Sequence, residues 1–176
     1  MLTLDRSSFR QLRSAFGRAL TWRSSGFFSR THELIADRDL FARLQWVGFR
    51  SSAIAEIDGA CWKIRPRSAL SSDIHLIDEP SGATIATVDW SIRKTTVDFA
   101  GVSYTLRRTG FFRIGFAAVD ANGVELLRTG VNFPFRGRRG WTRIEAPGAG
   151  CPHLAELVVL SWFLTVRDQR RAAAAT

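Results

Sequence analysis

A hydrophobic run near the end of the chain constrains the fold more than any other feature. The ten residues Leu157 to Val166 are apolar except for Ser161 and Thr165, so a helix formed by them has no polar face. Such a helix is buried on every side, either by protein or by a membrane. A membrane span needs about 20 residues, and this run is too short. We therefore predict that a helix over about 152–171 lies inside a protein core.

Between residues 26 and 146 the hydrophobic pattern changes to a period of two, which is typical of half-buried antiparallel strands. Asp58-Gly59 and Asn122-Gly123 predict tight turns between strands, because both pairs favour positive backbone φ angles. The predicted strands are about twelve, near 26–31, 33–37, 40–47, 52–57, 60–66, 73–78, 84–91, 94–99, 102–108, 112–119, 124–130 and 140–145. This number of short strands indicates a sandwich or a barrel.

A barrel of about twelve strands encloses a lumen wider than its own side chains fill. An α-helix with its side chains is about 10–12 Å across, which suits such a lumen. We therefore predict a mainly β fold, a closed antiparallel barrel of about twelve strands around the buried C-terminal helix. Trp162 is expected to pack against the barrel wall. The helix then leaves no luminal cavity for a small molecule.

Residues 1–25 form a basic segment ahead of the predicted barrel, which spans 26–176. Apolar residues at helical spacing with arginines between them predict a basic amphipathic helix over 4–20. A cap on the domain, a reversible membrane-surface anchor and a targeting peptide are all consistent with this pattern. Deletion of residues 1–22 is expected to leave the barrel folded. The anchor candidates are Phe9, Arg10, Leu12, Arg13 and Phe16.

Composition favours a globular protein with an anionic partner. The chain has 176 residues, 45% of them hydrophobic and 23% charged, with a formal net charge of +9. Of the 25 basic residues, 23 are arginine; a GC-rich genome also produces this bias, so charge alone does not identify a phosphate site. Cys61 and Cys151 lack the spacing of a zinc or redox site. With no secretory signal pattern, a cytoplasmic setting is expected.

The order of twelve strands followed by a hydrophobic helix resembles the tubby C-terminal-like superfamily, which includes tubby proteins, phospholipid scramblases and LURP-one-related proteins. The resemblance covers about residues 26–171. It is carried by Asp58 to Ile64, the strand pair Ala83 to Ile92 and Val97 to Leu106, Asn122-Gly123, Ile144-Glu145 and the helix Leu154 to Arg171. Tubby proteins bind phosphoinositides and scramblases are attached to membranes, so the resemblance implies lipid binding, although no tubby lipid-binding motif or scramblase cysteine cluster is matched.

Catalytic chemistry is not expected from this sequence. His32, His75 and His153 are far apart, and no serine lies in a Gly-x-Ser-x-Gly elbow. No cysteine and histidine cluster has the spacing of a metal site, and no phosphate-binding loop or other cofactor motif is present. We therefore predict a protein that is not an enzyme and has no cofactor.

Two basic clusters are the candidate binding residues. The first is a glycine-rich, aromatic-flanked loop with Arg136, Arg138, Arg139 and Arg143, whose guanidinium forks suit phosphate; an ordinary solvated loop has the same composition. The second comprises Arg93, Lys94, Arg107 and Arg108. These four residues lie at the ends of neighbouring predicted strands, so pairing of those strands would collect them at one rim of the barrel.

These features favour a non-catalytic module that binds anionic phospholipid headgroups, located in the cytoplasm or peripherally at a membrane. The alternative is a protein-interaction or scaffold module without a lipid ligand. Non-specific nucleic-acid binding is the third hypothesis, because a net charge of +9 attracts any polyanion.

Overall fold

The structure is a computed structural model that describes residues 9–24, 30–48, 52–68, 71–91, 94–109, 115–131 and 139–174. Twelve strands and one α-helix are described in these ranges. They are β1 (Leu20–Ser24), β2 (Thr31–Ala36), β3 (Asp39–Val47), β4 (Ser52–Ile57), β5 (Ala60–Pro66), β6 (Ile74–Asp78), β7 (Thr84–Trp90), β8 (Thr95–Phe99), β9 (Val102–Arg108), β10 (Gly115–Val119), β11 (Glu125–Val131), β12 (Gly140–Ile144) and α1 (Leu154–Ala174).

Each strand pairs antiparallel with its neighbour in the sequence, and β1 pairs with β12 to close a barrel. Along the strands, residues that face the core tend to alternate with residues that face outward. In β4, for example, Ala53, Ala55 and Ile57 are buried while the residues between them are half-exposed. Asp58 and Gly59 have φ angles of 50° and 79°, so they form the predicted tight turn. The predicted closed barrel of twelve antiparallel strands is confirmed.

The helix α1 lies inside this barrel. Every residue from Leu157 to Val166 is at most 4% exposed, and α1 contacts β3 and β4 as well as β10 and β11. Trp162 stacks on Trp22 of β1 with ring centroids 5.0 Å apart, and Phe163 stacks on Trp46 of β3 at 4.8 Å. The predicted contact of Trp162 with the barrel wall is therefore confirmed. The helix begins two residues after the predicted start and ends at Ala174.

The amphipathic helix predicted over 4–20 is wrong for residues 9–20. Leu12–Ala15 form one 3-10 turn, and the chain then enters β1. Leu12 is fully buried and its N–H donates to Asp58 Oδ1 at 2.7 Å, whereas Phe16 is 48% exposed. The hydrophobic residues of this segment have helical spacing, but they belong to a 3-10 turn followed by a strand. Of the three roles considered, the described residues favour a cap on the barrel.

The barrel also begins earlier than the predicted boundary at residue 26. Leu20 and Trp22 of β1 face the core, with Arg23 exposed between Trp22 and Ser24. The predicted strand at 26–31 falls largely on residues outside the described ranges, and its place in the barrel is taken by β1. The segment predicted to be separable therefore supplies the strand that closes the barrel.

The close approach of β12 to the helix gives a stability prediction. A Cβ atom at Gly140 would overlap with the six-membered ring of Trp162 and lie 3.0 Å from the Gly130 carbonyl oxygen. We expect Gly140→Ala to lower the free energy of unfolding by about 1–3 kcal/mol, the usual effect of overpacking. Gly150→Ala is the matched control, since nothing lies within 4 Å of its Cβ position. Urea denaturation of both variants measures the difference, and equal midpoints would contradict the packing described.

Candidate anion-binding site at the basic mouth

The described residues at the two ends of the barrel differ. Even-numbered strands end at the mouth where α1 begins, because β12 leads into α1 through the turn at Ala146–Gly150. The turn Leu12–Ala15, in which Leu12 and Ala15 are buried, caps this mouth through Asp58. Odd-numbered strands end at the opposite mouth, where α1 also ends. We call this end, defined by Trp90, Arg108, Arg167, Asp168 and Arg171, the basic mouth.

Three arginines surround the Trp90 ring at the basic mouth. The guanidinium carbons of Arg167, Arg108 and Arg171 lie 5.2, 5.3 and 5.9 Å from its centroid. Each contact has the geometry of a cation–π interaction. Because a ring has only two faces, at least two of these cations share one face. Trp90 lies at the end of β7 and Arg108 at the end of β9, and the four-residue spacing of Arg167 and Arg171 places both on one side of α1.

The carboxylate within this cluster is Asp168. Its Oδ2 lies 3.1 Å from Arg108 Nη2. Burial raises the pKa of Asp168, while Arg108, Arg171 and Arg167 act against that rise. Among the described residues of the basic mouth, three guanidinium groups therefore face one carboxylate.

Arg167 is the least exposed of the three arginines. It is 8% exposed, and its Nη1 atom is buried without a hydrogen-bond partner in the described part of the chain. Burial, followed by repulsion from Arg171, lowers the pKa of Arg167. A buried guanidinium N–H without an acceptor costs free energy. An acceptor placed at Arg167 Nη1 would offset this cost.

A second arginine and tryptophan contact lies on another side of the helix. The guanidinium carbon of Arg170 lies 4.1 Å from the centroid of Trp46, which is in turn stacked on Phe163. Trp46 is near the end of β3, an odd-numbered strand. The arginines near the end of α1 thus cover the aromatic residues at the same mouth from two sides.

A groove of about 850 Å³ runs along the outer wall from the basic mouth. Lys94, Arg107 and Arg108, three of the predicted site residues, all line it. Ser103, Thr105 and Arg107 point outwards because they alternate with the buried Tyr104 and Leu106 on β9. We call this cavity the wall groove; its lining also includes Ser91, Thr96 and Asn122. It offers cations together with hydroxyl and amide groups, and it also contains the carboxylate of Asp120.

The other predicted binding residues are not part of this site as described. Arg93, Arg136 and Arg138 lie outside the described ranges. Arg139 is exposed directly before β12, at the end of the barrel where the basic mouth lies. Arg143 faces outward further along β12, and its Nε lies 2.6 Å from Glu145 Oε1.

Metal and histidine chemistry has no support in the described ranges. They contain no group of three histidine, cysteine or acidic residues placed to hold a metal ion. His153 stacks on Phe99 at 4.1 Å and lies 4.0 Å from Glu156 Oε1. These contacts place His153 in the packing around the start of α1.

Comparison with protein-family models, curated proteins and solved structures finds no significant match. The resemblance to the tubby C-terminal-like superfamily therefore stays a prediction. Within the described residues, no helix is both long and apolar enough to span a membrane.

Sequence reasoning missed the central residues of the basic mouth. Arg167, Arg171 and Trp90 are not among the candidate binding residues that the sequence predicts. Two signals could have identified the site. One is the spacing of Arg167 and Arg171 on one helix face, and the other is the position of Trp90 beside Lys94 at a strand end.

Proposed function

We propose that this protein is a non-catalytic module that binds anionic phospholipid headgroups at a membrane surface through the basic mouth. The observation that carries the proposal is the set of three arginines around Trp90 with one carboxylate among the described residues. Arginine pairs strongly with phosphate oxygens and is weakly hydrated, so it suits such an interface.

The wall groove adds to the same surface. Lys94 and Arg107 are exposed and line the groove next to Arg108. A basic residue adjacent to an anionic membrane contributes about 1 kcal/mol to binding, and the effect falls off within a Debye length. Lys94 and the three arginines around Trp90 lie at one end of the barrel, with Arg107 on the adjoining wall, and this arrangement favours docking with the basic mouth towards the membrane.

Vesicle co-sedimentation tests this proposal. We expect the protein to pellet with phosphatidylcholine vesicles that contain phosphatidylserine, and to remain in solution with phosphatidylcholine alone. The double variant Lys94→Gln, Arg107→Gln should lose about 2 kcal/mol of binding free energy, roughly thirtyfold in partitioning. Added salt should weaken binding of the unmodified protein.

Arg13→Gln, Arg38→Gln is the charge-matched control. Both arginines are exposed, and Arg38 follows β2 at the capped end of the barrel. This variant should bind nearly as well as the unmodified chain. Equal pelleting with neutral and acidic vesicles, or equal loss in both double variants, contradicts docking through the basic mouth. Tight binding to an RNA oligonucleotide without vesicle binding also contradicts the proposal.

A further inference from the structure

The buried guanidinium of Arg167 is the strongest sign of a specific ligand. A surface arginine can exchange partners with water, but Arg167 is 8% exposed and its Nη1 has no acceptor among the described residues. The adjacent Arg171 carries the same charge and lies over the same Trp90 ring. Arg167, which is buried, and Arg171 therefore need a negative charge nearby. Asp168 supplies it only in part, because Asp168 is paired with Arg108.

The charge of the cluster indicates the charge of the ligand. Around the Trp90 ring, Arg108, Arg167 and Arg171 against Asp168 leave a formal excess of two positive charges. The carboxyl end of α1 corresponds to about half a negative charge, which offsets only part of this excess. A phosphate monoester carries about −1.5 to −2 at pH 7 and has three free acceptor oxygens. A phosphodiester or a carboxylate carries one negative charge and fits the excess less well.

Access to the site is through its exposed arginines. The Arg108 side chain is 48% exposed, and Arg171 is exposed, while Arg167 lies beneath them beside Trp90. An oxyanion bound by Arg108 and Arg171 would lie close to Arg167, because all three guanidinium carbons are within 5.9 Å of the Trp90 centroid. Guanidinium forks bind phosphate oxygens in pairs, so all three free oxygens of a monoester can be engaged.

We propose that Arg108, Arg167 and Arg171 form a specific site for a phosphate monoester at the basic mouth. This inference deepens and rests on the proposed function, because it selects monoester headgroups among the anionic lipids. A soluble phosphate ester has the same recognised chemistry, and the experiment separates the two sources.

Thermal unfolding with inorganic phosphate is the first test, with sodium chloride at equal ionic strength as reference. At a phosphate concentration one hundred times the Kd, we expect Tm to rise by about 5 °C or more. Arg167→Met removes the buried charge but keeps much of the side-chain volume. We expect its Tm in chloride to equal or exceed that of the unmodified protein, and its Kd for phosphate to rise at least tenfold.

This pair of effects distinguishes a binding residue from a structural one. A purely structural Arg167 would give a lower Tm in chloride and an unchanged increment with phosphate, which would overturn the inference. Arg171→Gln, at an exposed position, should also weaken phosphate binding, so the test does not depend on the folding of Arg167→Met. Arg143→Met is the control and should keep the full increment, because Arg143 pairs with Glu145 away from the mouth.

Binding to two kinds of vesicle distinguishes the monoester site from general binding to anionic lipids. Phosphatidylcholine vesicles with phosphatidate present a monoester, and those with phosphatidylglycerol at matched surface potential present a diester. We expect at least tenfold tighter binding to phosphatidate, lost in Arg167→Met. Equal binding to both overturns the monoester site while the proposed function stands. A phosphate-induced rise in Tm without binding to either vesicle supports the site, assigns it to a soluble ester and overturns the membrane proposal.

Discussion

Replacement of Val159 by aspartate is expected to abolish soluble folding of the chain. Val159 is fully buried within α1, in the middle of the residues that the barrel encloses on all sides. An unpaired charge at such a site costs several kcal/mol, and a domain has a total stability of about 5–15 kcal/mol. We therefore expect the variant to appear in the insoluble fraction, and far-UV circular dichroism of any soluble protein to show no cooperative thermal transition.

Ala172→Asp is the matched control on the same helix. Residue 172 is exposed and lies beyond Val166, where the enclosed segment ends, and the new carboxylate is only mildly unfavourable near the negative end of a helix. This variant should fold with a Tm close to that of the unmodified protein. If Val159→Asp also unfolds cooperatively at the same temperature, α1 does not fill the lumen.

The architecture could be predicted from the sequence because two patterns required each other. The run Leu157 to Val166 needs burial on every side, and strands in this number enclose a lumen that needs filling. Asp58-Gly59 located a hairpin because its backbone needs positive φ angles, and both residues have them. Each of these signals depends only on residues that are neighbours in the chain, so it can be recognised in a single sequence.

The beginning of the barrel could not be predicted, because β1 pairs with residues more than a hundred positions away. Leu20 pairs with Thr142 and Trp22 with Gly140, and no local pattern records such partners. The helical spacing of Phe9, Leu12 and Phe16 predicted a helix, and the alternation of buried and exposed residues in β1 is too short to outweigh that pattern. Tertiary contacts decided the outcome, as they often do for short segments.

Some residues of the candidate site could also be predicted from local patterns in the sequence, and others could not. Lys94, Arg107 and Arg108 were expected together because β8 and β9 are consecutive and form a hairpin. Arg167 and Arg171 join them only because α1 passes back through the lumen and ends at the same mouth. The filled lumen also places any ligand outside the barrel, which leaves the mouths and the outer wall as binding surfaces.

Deletion of residues 1–22 is expected to unfold the barrel, in contrast to the expectation from the sequence. All three pairs in the register between β1 and β12 are lost, from Leu20 with Thr142 to Trp22 with Gly140. The Trp22 ring stacked on Trp162 is removed, as is its Nε1 hydrogen bond of 2.9 Å to the buried Thr142 Oγ1. Burial of Leu12, Leu20 and Trp22 contributes about 1.5–3 kcal/mol for each residue, comparable with the stability of a whole domain.

The truncated chain also exposes edges that the closed barrel does not have. Without residues up to Trp22, β12 loses one hydrogen-bonding neighbour and β2 loses two of its four pairs with β1, and unpaired edges promote aggregation. We expect the shortened protein to be insoluble, or to lack near-UV circular dichroism from its buried tryptophans. Deletion of residues 1–8, which keeps every contact described above, should leave a cooperative transition near the original Tm. A soluble monomer of the 1–22 deletion with an unchanged transition would show that β1 is dispensable for closure of the barrel.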